Sequence, residues 1–142
     1  MLTLEQANAI VAGALAEARS QNSKPLAVIV LDAGGHPLAF QRQDGASLFR
    51  FDIARAKAMG ALGMGASTRD IAARAASNAT FFTTVAIATG GNLALSPGGL
   101  LVRGSTGTIL GAVGISGDTG DCDEKCAMAG IHAAGLFDGA DA

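Results

Sequence analysis

Apolar positions along this chain switch between three- or four-residue steps and short continuous runs, and the switching lays out the elements. Leu4, Ala7, Ile10, Val11, Ala14, Leu15 and Ala18 recur at helical spacing, which predicts an amphipathic helix ending near Arg19 or Ser20 with this stripe turned inward. Thr3 and Gln6 have capping-box spacing at its start, and Asn22 and Pro25 close it. Residues 26–31 are continuously apolar, 32–36 read Asp-Ala-Gly-Gly-His, and 37–41 begin a return run, so this stretch predicts a hairpin. After Asp44-Gly45, Ser47 is placed as an N-cap for a long helix through Ile53, Ala54, Lys57, Ala58, Ala61 and Leu62, which Gly63 and Gly65 finish. A short helix then starts at Ser67-Thr68-Arg69-Asp70 and ends near Asn78. Residues 81–88 fit a helical turn or a strand equally, and 93–95 read as a brief extended piece in a loop.

The chain is organised around residues 97–126. Two apolar runs, 100–102 and 109–115, flank a Gly-Ser-Thr-Gly turn, and Gly117, Asp118 and Thr119 then supply turn and N-cap chemistry for a last helix over about 119–137. The order is helix, two strands, helices, two or three strands, helix. Strands joined by such short turns are antiparallel, so the pattern predicts an α+β fold with a mainly antiparallel sheet and excludes a doubly wound nucleotide fold.

Composition sharpens this picture. With 142 residues, 49% of them hydrophobic, the chain suits one domain, 1–142. It has no Trp or Tyr and 20 glycines, so its core is built from small aliphatic side chains. The apolar surface left over predicts a homo-oligomer. A net charge of −2 and the absence of a Lys/Arg run argue against a nucleic-acid partner. Charge is nevertheless uneven: six of the ten basic residues lie between Arg42 and Arg74 beside three acids, while from Asp118 onward there are six acids and one lysine. The middle of the chain therefore suits an anionic ligand, although a solvated arginine-bearing helix face gives the same pattern. No stretch approaches the roughly 18–20 apolar residues of a membrane span, and the opening residues lack a signal-peptide pattern. The expected location is cytoplasmic.

Candidate chemistry is modest. Gly114-Ile115-Ser116-Gly117 lacks the second glycine position of a nucleophile elbow, and His132 stands too far along the last helix to serve Ser116 as a base. Cys122 and Cys126 share a helix face with Asp123 nearby, but the second ligand pair of a structural zinc site is missing, so no metal site is expected. His36 lies in a turn and His132 on the last helix; either has the chemistry of a haem ligand or a general base, but simple exposure of His36 and core packing of His132 are the commoner arrangements. Arg42 and Asp44 flank Gln43 at a strand end, as a turn clamp or a ligand contact. Lys57, beside an apolar stripe, either snorkels to solvent or points into a pocket toward a carboxylate.

Several segments together resemble the GlcG/HbpS-like family of small haem-binding proteins, which includes the carboxy-terminal domain of some corrinoid adenosyltransferases. They are Leu2-Thr3-Leu4-Glu5-Gln6-Ala7, Val30-Leu31-Asp32-Ala33-Gly34-Gly35-His36, Arg42-Gln43-Asp44-Gly45-Ala46, Lys57-Ala58, Pro97-Gly98-Gly99, the 111–117 segment Gly-Ala-Val-Gly-Ile-Ser-Gly, and Asp123-Glu124-Lys125-Cys126-Ala127. The resemblance implies a profilin-like fold of about five strands with the amino- and carboxy-terminal helices packed on the sheet, and a homo-oligomer, an octamer being the family-based expectation. It implies a protein that binds a small molecule, haem or another anionic organic compound, as an accessory to a catabolic pathway. On that reading the ligand-binding residues are Arg42, Asp44, Lys57, Gly98, Gly99, Gly114, Ser116, Gly117, His36 and His132. The alternative is an enzyme of isomerase or lyase type acting on a small oxo- or hydroxy-acid, with Lys57 holding the carboxylate, Glu124 or Asp123 as base, and the amides of Ser116 and Gly117 stabilising an enolate.

Overall fold

A computed structural model describes residues 1–139. Helix α1 (Leu4–Ser20) starts at the expected capping box, with Thr3 Oγ1 accepting from the Gln6 amide at 3.0 Å and Gln6 Oε1 accepting from the Thr3 amide at 3.0 Å. Its stripe is buried from Ala7 onward, but Leu4 is 59% exposed. Strands β1 (Ala27–Asp32) and β2 (Pro37–Arg42) form the hairpin, followed by helices α2 (Arg50–Met64), α3 (Thr68–Ala75) and α4 (Ala79–Ala88). Strands β3 (Gly99–Arg103) and β4 (Ile109–Ser116) and helix α5 (Gly120–Ala133) complete the described chain.

The fold is α+β with one antiparallel sheet in the order β2-β1-β4-β3. That is four strands among the described residues where about five were expected. The missing one is the 93–95 segment, which is loop: Leu93 is used as a buried plug against Gly60 of α2 and does not pair. α2 begins at Arg50, after Phe49, and Ser47 does not cap it. α5 stops at Ala133 short of the expected 137, and Phe137 instead exchanges backbone hydrogen bonds with Arg103 on the outer edge of β3. Residues 79–88 are helical. The β-branched Thr84 and Thr89 that blur the pattern turn their hydroxyls back onto the carbonyls of Thr80 and Val85, both at 2.8 Å.

Each face of the sheet carries its own core. Val28, Val30, Leu100, Val102, Val113 and Ile115 point toward α1 and α5, whereas Ala27, Ile29, Leu31, Leu101 and Ala112 meet Ala54, Ala58 and Ala61 of α2. The strict alternation along β1 and β3 is what a strand buried on both faces requires. Small residues set the layer spacing: a Cβ on Gly114 of β4 would collide with the backbone of Ala54 and Ala58, so α2 lies directly on the strand. No helix among the described residues is long and apolar enough to cross a membrane. The expected domain, 1–142, includes residues 140–142, which lie outside the described ones.

Candidate functional site

The end of the sheet where β1 begins and β4 ends gathers most of the polar residues singled out in the sequence. Lys57 comes from the middle of α2 and is 2% exposed. Its Nζ donates to the Ile115 carbonyl at 2.8 Å and to Asp123 Oδ2 at 3.0 Å. Asp123, in the first turn of α5, is 1% exposed, and its other oxygen accepts the Asp118 amide at 3.0 Å. The pair thus bolts α2, the end of β4 and α5 together through the middle of the protein. Gly98 lies over it in a left-handed conformation (φ 128°), where a Cβ would come within 2.9 Å of Lys57 Nζ and 2.8 Å of the Ile115 carbonyl oxygen. Gly99 packs against the Lys57 backbone, and its amide donates to Thr68 Oγ1 at 2.9 Å. Ser116 is buried and accepts from Arg50 Nη1 at 3.2 Å, and Gly117 backs onto Pro25 and Leu26.

Lys57, Asp123, Gly98, Gly99, Gly114, Ser116 and Gly117 therefore come together as a packed joint in which protein atoms fill the space. Burial pushes the Asp123 carboxyl above its ordinary value despite Lys57, because desolvation outweighs the attraction. Asp118, five residues before it, goes the other way: the amides of Lys24 and Thr119 hold its carboxylate below the ordinary value. In a carboxyl-detected NMR titration the two should separate to opposite sides of 3.8. Asp118 then adds stability above that pH that is lost as pH falls through its folded value. Asp123 keeps its proton longer in the folded state than in the unfolded chain, so its ionisation costs stability as pH rises. Both carboxyls titrating on the same side of 3.8 would contradict this placement.

The remaining expected residues lie elsewhere. His36 is exposed in the β1–β2 turn, with Nδ1 3.3 Å from Asp32 Oδ1. His132, near the end of α5, is half-exposed, with Nε2 3.4 Å from Asp138 Oδ2. Glu124 accepts from Arg69 Nε at 3.0 and 3.1 Å, and Arg69 also reaches Asp121 at 2.5 Å, tying α3 to α5. Burial raises both thiols, Cys126 to about 12, which opposes the thiolate that metal binding or nucleophilic attack needs.

Two grooves open on the surface. Arg42 and Asp44 line one of about 480 Å³ beside the end of α1. The other, about 420 Å³, runs along the outer edge of β3 between α3 and α5, within the usual size of small-molecule sites, about 300–1,000 Å³. The β3 edge is covered at Gly99 by Thr68 and at Arg103 by Phe137, and between them Leu101 lines the groove with Arg74, Arg103, Met128 and Asp138. Arg103 Nη1 donates to the Gly107 carbonyl at 2.9 Å, but its Nε is buried with no hydrogen-bond partner among the described residues. A buried donor without an acceptor calls for an explanation. Sequence reading did not find this groove, since Arg74, Arg103 and Met128 converge from three elements with no local spacing to link them. The one available signal was Arg103 ending an apolar run.

The sequence profile of a family described as "Haem degrading protein HbpS-like" matches residues 2–132. Among solved structures, the chain is 30% identical to HbpS of Streptomyces reticuli, determined as a double mutant, over 92% of this chain and 85% of that one, with a TM-score of 0.77. Protein ORFY of Klebsiella pneumoniae is 26% identical over 94% and 90%, with a TM-score of 0.85. PduOC, solved as a complex with heme, is 23% identical over 96% and 97%, with a TM-score of 0.86, and this likeness concerns the fold. No curated protein matches the chain.

Proposed function

The chain belongs to the HbpS-like family, and from that premise we propose that it binds haem in the groove between α3, β3 and α5. The observation that carries this reading is the convergence of Arg74, Arg103 and Met128 in a groove of about 420 Å³, with Arg103 Nε a buried donor that has no acceptor among the described residues. A haem propionate would meet the Arg103 guanidinium through a charge-assisted hydrogen bond. Arg74, exposed on α3 and without an ion-pair partner among the described residues, suits the second propionate. Met128 lines the same groove and offers a thioether to the iron. His132 follows one turn later on α5, outside the groove lining, with its Nε2 3.4 Å from Oδ2 of Asp138 in the groove wall. Bound haem would supply an iron centre for redox chemistry, and the family description makes haem a substrate as well as a ligand within this reading.

The enzyme alternative assigns Lys57 to a substrate carboxylate. In this fold Nζ already serves Asp123 and the Ile115 carbonyl behind Gly98, which favours the binding reading. Haemin added to the protein should give a saturable Soret shift at one equivalent per subunit. Arg74→Glu should weaken it by about tenfold, the loss of one charge-assisted contact, with an unchanged circular dichroism spectrum. A featureless titration, or an Arg74→Glu variant that binds as well as the original, would sink the proposal.

We also propose a homo-oligomer. α4 carries no charged residue, and Phe82 is its one buried residue, leaving Phe81 52% and Ile87 76% exposed. Such a helix is stabilised by covering it. Light scattering should report a multimer that falls toward the monomer mass in Phe81→Asp/Ile87→Asp, and a wild-type monomer would overturn this.

A further inference from the structure

The groove beside the end of α1 shares no lining residue with the proposed haem site. Arg19, from the last turn of α1, and Arg42, from the end of β2, both line it. Neither guanidinium has an ion-pair or hydrogen-bond partner among the described residues, although Arg69 and Lys57 each engage a carboxylate. Gln43 lines the same groove. Its Oε1 accepts the Leu26 amide at 2.8 Å, which fixes the side chain and leaves its Nε2 donor without an acceptor among the described residues. The Ser23 hydroxyl donates to the Lys24 carbonyl at 2.8 Å, so its lone pairs are what it presents. Asp44 is the one acid in the lining. Leu15 supplies an apolar wall. Two cations and a fixed amide against one carboxylate make a surface rich in donors and net positive.

We propose that this groove is a binding site for a small oxyanion, a carboxylate or a phosphate, held by Arg19 and Arg42 with Gln43 setting its orientation. The proposal does not rest on the haem reading. Planar guanidinium groups match the two-oxygen edge of either anion. Locking Gln43 to the start of β1 removes the entropy that a free side chain would lose on binding. Asp44, the one acid in the lining, opposes the bound anion and lowers its affinity.

The test is an amide NMR titration of the full chain with inorganic phosphate, succinate and the neutral succinamide. Saturable shifts at Leu15, Arg19, Ser23 and Gln43 with either anion, absent with succinamide, are expected; the anion that saturates first identifies the source. Arg42→Gln and Arg19→Gln should each weaken binding by about tenfold, and Asp44→Asn should tighten it. Shifts absent up to about 10 mM, a concentration that detects even millimolar affinity, would overturn the site. So would shifts spread equally to Arg55 and Arg74, or binding indifferent to the arginine substitutions.

Discussion

Lys57→Met is expected to destabilise the protein by about 3–5 kcal/mol, because it leaves the Asp123 carboxylate buried without its cation. The cost is that of an orphaned charge and not the worth of the ion pair. It follows that Lys57→Met/Asp123→Leu should recover much of the loss, since a well-packed apolar pair in the same place forfeits little. Acid should also rescue the single variant in part: without Lys57 the carboxyl stays protonated to higher pH, and the neutral form is cheaper to bury. Urea unfolding at neutral and acidic pH reads all three. A Lys57→Met loss below about 1 kcal/mol, the range of an exposed pair, would mean that the joint is not the anchor described above.

The second large effect is Gly114→Ala, expected to cost about 3 kcal/mol, the upper end of overpacking penalties. The new methyl group would meet the Ala54 carbonyl and come within 2.9 Å of the Ala58 amide nitrogen. Both belong to helix backbone, which cannot rotate aside as a side chain would. Gly63→Ala provides the opposite sign in the same layer. Its Cβ would meet nothing within 4 Å, and an alanine in a helix interior gains up to about 1 kcal/mol over glycine. Midpoint shifts in opposite directions for the two variants are the expected result. Equal shifts would show that α2 does not sit on β4 at the distance described.

These two residues also show what the sequence makes legible. The capping box at Thr3 and Gln6, the β1–β2 hairpin and the final helix after Thr119 rest on neighbours within a few positions, and local chemistry decides them. The α4 segment fits strand and helix alike in sequence because Phe, Thr, Val and Ile serve both, and only the threonine back-bonds and packing settle it. The candidate residues divide along the same line. Lys57 beside an apolar stripe was visible, with a pocket carboxylate as one of its two readings. That the carboxylate is Asp123, 66 positions away, is a product of topology. The groove on β3 was invisible for the same reason: Arg74, Arg103 and Met128 share no periodicity, and the orphaned Arg103 Nε exists only once Phe137 and Gly107 have taken up the groups around it. Seven short segments identify the fold, whereas the residues lining this groove lie mostly outside them.

The location of the haem is the claim on which the functional reading depends, and ferric haemin in an amide NMR experiment addresses it most directly. One equivalent should broaden the amide signals of Arg74, Leu101, Arg103 and Met128, which line the groove, while those of Arg19 and Arg42 on the other groove stay sharp. Broadening centred on Arg19 and Arg42, or spread evenly over the chain, would contradict it.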